Sequence, residues 1–254
     1  MTRADLTPRL SQWLQRCQHL ACRQGWEWGV YGYAERWPLL WLRSFKNNAP
    51  VLYLSSGIHG DEPAAVEALI TSLESAPAWL DRITLLCCPI LNPSGCALET
   101  RCDSTGCDLN RDYKRWASST TRAHCHWLLQ QPCPQMCISL HEDWEADGFY
   151  LYEINTSLHP NIGLEVLRAV KHRYPISTAE VLDGHKVTFP GYILHPPQAD
   201  VPEEWPEAIW LVNRAPCLSL TLESPSRENF HDRVCMHQIS IEAAVEKLLS
   251  RKYP

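Results

Sequence analysis

The feature that most constrains this chain is a polar tetrapeptide, His59-Gly60-Asp61-Glu62, placed directly after the apolar run Val51-Leu52-Tyr53-Leu54. The run predicts a buried strand, and the apolar residues from Pro63 to Leu73 recur at helical spacing. A buried strand that leads into a helix is typical of an α/β sheet. The pattern therefore predicts an imidazole and a carboxylate at the turn between a strand and a helix.

His59 and Glu62 are two of the side-chain types that bind zinc, and at this spacing both can turn toward one ion at about 2 Å. Two such residues alone are a weak signal. A second histidine, His141, and a further carboxylate, Glu223, also stand at the ends of apolar runs. Because open α/β sheets bind ligands beyond the carboxyl ends of their strands, we expect the four side chains to meet.

A catalytic zinc site needs three protein ligands and an open position for water. His59, Glu62 and His141 would supply the three ligands, which predicts one zinc ion per chain. Glu223 is then left to act as general base and acid, and burial at a strand end would raise its pKa toward neutrality. Taken alone, His141 could be a core histidine and Glu223 a solvated charge.

The other patterns predict a single α/β domain that spans 1–254, a length suited to one such domain. A helix over 10–23 and a hairpin over 29–45, together about 8–46, are expected to pack on the core. A buried strand over 82–91 follows the helix that starts at Pro63, and the succession strand, helix, strand implies a parallel crossover.

The rest of the chain alternates in the same way. We predict a long functional loop over 92–116, helices over 121–129, 164–172 and 241–249, and strands over 136–140, 149–154 and 217–222. The stretch 183–207 is rich in proline and reads as loops beside the site. It contains His185 and His195, whose roles stay open.

The composition excludes several classes of protein. The net charge is -6 and the isoelectric point is about 6.0, without a stripe of Lys and Arg, which argues against a nucleic-acid partner. Charges interrupt the later apolar runs and the N-terminus lacks a signal-peptide pattern, so we expect a cytoplasmic protein with no membrane partner. The twelve cysteines lack CxxC spacing and are expected to be free thiols, mostly buried. The pattern predicts no oligomeric state.

Several segments, in order along the chain, resemble the zinc carboxypeptidase family, which includes pancreatic carboxypeptidase A and bacterial murein-peptide amidases. The resemblance covers roughly 51–225. Its segments are Gly57-Ile58-His59-Gly60-Asp61-Glu62, Asn92-Pro93-Ser94-Gly95, Arg101 with Asp108-Leu109-Asn110-Arg111-Asp112-Tyr113, Ser139-Leu140-His141 and Thr221-Leu222-Glu223. It implies a mixed, largely parallel twisted sheet of about eight strands with helices on both faces.

The resemblance also implies roles for four more residues. Arg101 would polarise the scissile carbonyl and stabilise the oxyanion, and Asn110 and Arg111 would hold a terminal carboxylate of the substrate. Asp108 would accept a hydrogen bond from His59 and fix its tautomer. By themselves, Arg111 could be a surface ion-pair partner and Asp108 a turn cap.

The chain also departs from the family. Ser94 replaces the usual Asp, and Glu142-Asp143-Trp144 follows His141 where the peptide-digesting members carry Ser-Tyr, so we expect a different substrate pocket. Tyr192 is a candidate for the family's mobile tyrosine, outside the catalytic set.

The leading hypothesis is a zinc metallocarboxypeptidase that cleaves an amide next to a free carboxylate in a peptide or a small amide. The alternative is a zinc deacylase of N-acyl amino acids that resembles aspartoacylase and succinylglutamate desuccinylase. A metal-free module that binds carboxylates is the third reading.

Overall fold

The structure is a computed structural model that describes residues 7–157 and 160–250. In this part the helices are α1 (Thr7–Gln24), α2 (Pro63–Glu74), α3 (Pro93–Leu98), α4 (Ser119–Leu129), α5 (Gly163–Lys171), α6 (Glu207–Arg214) and α7 (Phe230–Ser250). The strands are β1 (Glu27–Ala34), β2 (Trp37–Ser44), β3 (Val51–Ser56), β4 (Thr84–Cys88), β5 (Met136–Asp143), β6 (Tyr150–Asn155), β7 (Val181–Leu182), β8 (His185–Lys186), β9 (Tyr192–Leu194) and β10 (Leu218–Pro225). The parts of the domain prediction that concern 1–6, 158–159 and 251–254 lie outside the described residues.

Eight of these strands form one mixed sheet, in the order β1-β2-β4-β3-β5-β10-β6-β9. The central pairs β4/β3, β3/β5 and β5/β10 are parallel, as is β6/β9 at one edge. The pairs β1/β2, β2/β4 and β10/β6 are antiparallel. The predicted fold, a single α/β domain with a mixed, largely parallel sheet, is confirmed.

Helices cover both faces of the sheet. Residues of α1, α2, α5 and α7 share one buried apolar cluster, and residues of α4 and α6 share a second cluster with the opposite sheet face. In β5 the alternation is visible, because Ile138 and Leu140 join the first cluster and Cys137 joins the second. The central strands are thus buried on both sides, as parallel strands require.

The predicted crossover is present, since β3, α2 and β4 follow one another and β3 pairs in parallel with β4. The hairpin β1/β2 continues the main sheet through β4. The twelve cysteines are free and most are buried. None of the helices in 7–157 and 160–250 is long and apolar enough to cross a membrane.

Several boundaries differ from the predictions. The strands β5 and β10 continue past His141 and Glu223, so these residues lie within strands near their ends. The predicted loop 92–116 contains the short helix α3, and the closing helix starts at Phe230. The stretch 183–207 contributes β9 to the main sheet, and α6 begins at its end.

A chain of buried hydrogen bonds runs from the α4 layer to the sheet. Tyr113 Oη donates to His124 Nδ1 at 2.7 Å, and His124 Nε2 donates to Tyr53 Oη at 2.9 Å. Tyr53 Oη in turn donates to Glu207 Oε1 at 2.7 Å. His124 therefore bonds through both nitrogens as a neutral imidazole, and burial lowers its pKa to about 3.

This buried histidine predicts a loss of stability in acid. Below its ordinary pKa of 6.5 the unfolded chain gains a proton at His124, whereas the folded chain gains it only near pH 3. The contribution of His124 to the free energy of unfolding is complete above pH 6.5. As the pH falls below this value, the contribution decreases by up to about 1.4 kcal/mol per pH unit. We expect His124→Gln to show a shallower fall of unfolding free energy than the unmodified chain between pH 6 and about 4 in urea titrations.

His126→Gln is the matched control, because His126 is exposed on the same helix. Its pH dependence should equal that of the unmodified chain. Equal slopes for His124→Gln and His126→Gln would contradict the assignment.

Candidate active site

A cavity of about 440 Å³ lies beside the carboxyl ends of the central strands. Ser139 of β5 and Thr221 of β10 line it, whereas Leu140 and Leu222 at the next positions belong to the apolar cluster behind the sheet. Because strand side chains alternate between faces, small polar residues at these positions leave open space on one side only. His141 and Glu223 lie two residues further on each strand and line the same cavity.

His59, Glu62 and His141 converge on one point of this cavity. Glu62 Oε1 lies 2.6 Å from His59 Nδ1, and Glu62 Oε2 lies 3.0 Å from His141 Nδ1. One ligand atom from each residue falls within 4.8 Å of the others, and all three residues are buried, with at most 5% of their surface exposed. The structure brings the three sequence-predicted ligands together.

The donor set fits a metal ion. Glu62 Oε2 is buried and accepts no hydrogen bond within the described residues, although the His141 ring faces it. His59 Nε2 lies 3.3 Å from Asp108 Oδ1, so its Nδ1 is the nitrogen that faces Glu62. Two imidazoles and one carboxylate, oriented by an outer carboxylate, are the set that zinc prefers when a fourth position stays open.

The electrostatics of the cluster favour charge on all three groups. Burial alone lowers the pKa of His59, but Glu62 and then Asp108 outweigh burial and raise it to about 9. Burial likewise lowers the pKa of His141, and Glu62 reverses this effect and raises it. Burial raises the pKa of the Glu62 carboxyl, yet the two imidazoles hold it well below its usual range.

Asp108 connects the group of candidate metal ligands to the residues predicted to bind the substrate. Its Oδ1 accepts the backbone N–H of Asn110 at 2.9 Å as well as the His59 contact, and its Oδ2 accepts Arg101 Nε at 3.0 Å. Asp108 therefore caps the turn at Asn110 and at the same time lies within hydrogen-bond distance of His59. Burial raises the pKa of this carboxyl, but His59 and Arg101 hold it well below its usual range.

Arg101, Asn110 and Arg111 all line the cavity. Arg101 Nη1 lies 3.3 Å from His59 Nδ1, beside the candidate metal ligands. Asn110 Oδ1 accepts the backbone N–H of Glu207 at 2.9 Å, and Arg111 Nη1 donates to the Asn110 carbonyl at 3.0 Å. The two guanidinium groups thus line the same cavity, and that of Arg101 lies beside His59.

Glu223 lies next to His141 across the sheet, because the two residues are paired in the parallel register of β10 and β5. Burial raises the pKa of Glu223 well above its ordinary value, and Glu62 and Asp143 add to the effect while His141 opposes it. Glu223 is half-buried, and a carboxyl with a raised pKa can both accept and deliver a proton near neutral pH.

The Asn92-Pro93-Ser94-Gly95 segment supports the turn that carries His59. Asn92 Nδ2 donates to the Ile58 carbonyl at 3.1 Å, and Asn92 Oδ1 caps α3 by accepting Gly95 N–H at 2.8 Å. A Cβ on Gly60 would lie 1.9 Å from the Gly95 carbonyl carbon. The turn therefore needs glycine at position 60. Ser94 contributes a hydrogen bond to Asn92, at 3.2 Å.

Glu142 also has a structural role. Its Oε1 accepts the Ala64 N–H at 2.6 Å in the first turn of α2, and its other oxygen pairs with Arg233 of α7. Glu62, the residue directly before α2, makes no side-chain hydrogen bond to the start of this helix. Because Glu142 satisfies this helix end, the Glu62 carboxylate is available to the histidines.

The structure adds cavity residues that the sequence patterns did not indicate. Glu207 begins α6 and accepts hydrogen bonds from Ser55 and Ser139, at 2.8 and 2.9 Å. The suggestion of Tyr192 as a mobile capping residue is wrong, because its ring is buried, its hydroxyl donates to Glu153, and it does not line the cavity. The spacing of Tyr150 and Tyr152 along β6 gave no sign that both line this cavity.

Comparison with known proteins gives a match to one family model and matches to several solved structures. A family model described as the succinylglutamate desuccinylase/aspartoacylase catalytic domain matches residues 48–132. The matched segment includes His59 and Glu62 and ends before His141. No curated protein gives a significant sequence match.

Solved structures match nearly the whole chain. A protein of Shewanella amazonensis SB2B, provisionally assigned as a metallopeptidase, has a TM-score of 0.82 at 24% identity over 94% of this chain and 92% of that chain. A metallo-carboxypeptidase from Burkholderia cenocepacia has a TM-score of 0.68 at 16% identity over 92% and 67%. A Pseudomonas aeruginosa metallo-carboxypeptidase, in complex with (2-guanidinoethylmercapto)succinic acid, has a TM-score of 0.65 at 17% identity over 92% and 68%.

These likenesses confirm the resemblance at the level of the fold, which is the carboxypeptidase-like α/β fold.

The close approach of two glycines under the site can be tested by substitution. We expect Gly60→Ala to lower the free energy of unfolding by on the order of 3 kcal/mol, because its Cβ would meet the backbone of Gly95. The measurement is urea unfolding followed by fluorescence. Gly106→Ala is the control, since a Cβ there meets nothing within 4 Å and only the backbone φ of +85° is strained. It should cost about 1 kcal/mol. Equal costs would contradict the packing described.

Proposed function

We propose that the protein is a zinc-dependent metallocarboxypeptidase, a hydrolase of an amide bond next to a free carboxylate. The observation that carries the proposal is the convergence of His59, Glu62 and His141 in a cavity that Arg101 and Arg111 also line. One zinc ion held by the three residues would polarise a carbonyl and make a water acidic at neutral pH.

The remaining side chains supply the proton transfers and the charge stabilisation. Glu223, paired in register with His141, would take a proton from the attacking water and deliver one to the leaving nitrogen. Arg101, fixed by its bond to Asp108, would stabilise the negative charge that develops on the carbonyl oxygen. Asp108 would keep His59 in the tautomer that leaves Nδ1 for the metal.

Asn110 and Arg111 would hold the free carboxylate of the substrate. A guanidinium binds a carboxylate through two parallel hydrogen bonds, which fixes orientation as well as charge. Elsewhere the cavity is acidic, with Asp143, Glu145 and Asp183 in its wall. This distribution suits a substrate that has a carboxylate at one end and an amine or guanidine at the other. The ligand of the Pseudomonas aeruginosa relative carries both kinds of group.

The second candidate is a deacylase of N-acyl amino acids. It is supported by the match of 48–132 to the succinylglutamate desuccinylase/aspartoacylase model. The two candidates share the metal, the base and the carboxylate anchor, and they differ in which side of the amide carries the larger group. The peptidase is favoured because structures that align over most of this chain include one provisionally assigned as a metallopeptidase and one described as a metallo-carboxypeptidase.

A substrate panel separates the two candidates. We expect zinc-loaded protein to release C-terminal amino acids from a mixture of peptides and cell-wall peptides. Glu223→Gln should lower kcat by about 10²–10⁴-fold, because it removes the base and keeps the shape, while the zinc content stays unchanged. Release of succinate, acetate or aspartate from acylated amino acids instead would select the deacylase. Full activity in Glu223→Gln would exclude both mechanisms.

The carboxylate anchor predicts a change in substrate affinity. We expect Arg111→Ala to lower kcat/KM by about 10–100-fold, mainly through KM, because a charged hydrogen-bond pair to the substrate is lost. Amidation of the substrate carboxylate should remove the difference between Arg111→Ala and the unmodified protein. Arg115→Ala is the matched control, since Arg115 lies on the same segment but does not line the cavity. An equal loss in both variants would speak against the anchor.

A further inference from the structure

A second group of metal-binding side chains lies in the wall of the same cavity, formed by His185, His195 and Asp200. His185 belongs to β8, His195 directly follows β9, and Asp200 lies in the segment that leads to α6. These three positions come from the proline-rich stretch in which the strands are only two or three residues long. Little regular backbone pairing holds this wall together.

The spacing of the three groups matches a metal site. His185 Nε2 lies 3.4 Å from Asp200 Oδ2, and His195 Nε2 lies 3.4 Å from Asp200 Oδ1. Ligand atoms bound tetrahedrally at 2.0–2.1 Å are about 3.4 Å apart. The centroids of the two imidazole rings are 5.0 Å apart, the same separation as between His59 and His141.

The tautomer of His195 leaves a ligand nitrogen directed at Asp200. His195 Nδ1 lies 2.6 Å from the Pro196 carbonyl oxygen and donates its proton there. A neutral His195 therefore presents a lone pair on Nε2. Donation of the other ring N–H to a backbone carbonyl is the usual arrangement of a metal-binding histidine.

The rings of both histidines are held in place by Tyr152. Its ring meets His185 edge-on with centroids 5.5 Å apart and meets His195 with centroids 6.2 Å apart. The Tyr152 hydroxyl donates to Asp183 Oδ2 at 3.1 Å, which orients the tyrosine in turn. The two imidazoles thus face the Asp200 carboxylate together.

A purely ionic explanation is less satisfactory. To pair with Asp200 through Nε2, His195 must be protonated, and it would then lie beside a second imidazole that shares the same carboxylate. Asp200 is well hydrated, with 66% of its side chain exposed, and gains little from such pairs. One divalent cation would satisfy both Nε2 lone pairs and the carboxylate, in a wall whose other charges are negative.

We propose that His185, His195 and Asp200 form a second divalent-cation site, of the imidazole-rich kind that suits zinc and its neighbours in the transition series. A cation at this position joins β8, the end of β9 and the segment before α6, and so fixes this part of the cavity wall. The second site is independent of the proposed function, because none of its residues takes part in the proposed chemistry.

Metal stoichiometry tests the proposal. Full-length protein is stripped with a chelator, equilibrated with a small excess of Zn²⁺, desalted and analysed for zinc per chain. We expect about two Zn²⁺ in the unmodified protein and in His172→Ala, a control for exposed histidines, and about one in His185→Ala and in Asp200→Asn. His59→Ala should also retain about one. Asp200→Asn keeps the shape of an exposed side chain, so it tests the site without disturbing the fold.

A second measurement follows the loops directly. Lys186 is exposed beside His185 and offers trypsin a cleavage site. We expect saturating Zn²⁺ to slow cleavage after Lys186 by at least about 10-fold in the unmodified protein and in His59→Ala, and to have no effect in Asp200→Asn.

The outcomes distinguish this inference from the proposed function. A single zinc per chain that His59→Ala abolishes would overturn the second site and leave the proposed function standing. A single zinc that Asp200→Asn abolishes and His59→Ala retains would support the second site and overturn the catalytic centre. Two zinc ions that persist in both His185→Ala and Asp200→Asn would overturn the second site.

Discussion

The burial of the Glu62 carboxylate between two imidazoles is the interaction on which the candidate site depends. A carboxylate withdrawn from water is costly unless cations or donors surround it. His59 and His141 provide that surrounding, and they can do so only because the turn after β3 is tight enough to bring position 62 back toward position 59. This turn depends on the close packing of Gly60 against Gly95 and on the hydrogen bonds of the Asn92 side chain. The Asn92-Pro93-Ser94-Gly95 segment thus supports the turn that carries two of the candidate metal ligands.

Much of the fold follows from local pattern. The strands β3, β5 and β10 are largely buried and rich in apolar residues, and the helix α2 has an apolar period and a proline at its start. Such signals are contained in a few neighbouring residues. The edge strand β9 could not be predicted. Its three residues are too few to show a hydrophobic period, and it pairs with β6, which lies far away in the sequence.

The residues of the candidate site also fall into those that the sequence could predict and those that it could not. His59, Glu62, His141 and Glu223 could be predicted, since ligand types at the ends of buried strands meet whenever the strands are parallel. Glu207 could not, because a carboxylate at the start of a helix is common for electrostatic reasons, and its hydroxyl partners Ser55 and Ser139 lie on strands far away in sequence. His185 and His195 escaped for a related reason: ten residues apart and joined through Asp200, they match no short motif.

The register of β5 and β10 has a consequence for how such a protein can change. His141 and Glu223 are borne by adjacent central strands whose backbones are about 4.8 Å apart, so their relative position cannot shift without breaking the sheet. The segment 183–206, which also contributes to the cavity wall, consists of short strands and turns. Substitutions or insertions there can reshape what the cavity admits while the distance between Glu223 and His141 stays constant. Under the proposed function, reaction type and substrate choice would therefore depend on separate parts of the fold, one rigid and one adjustable.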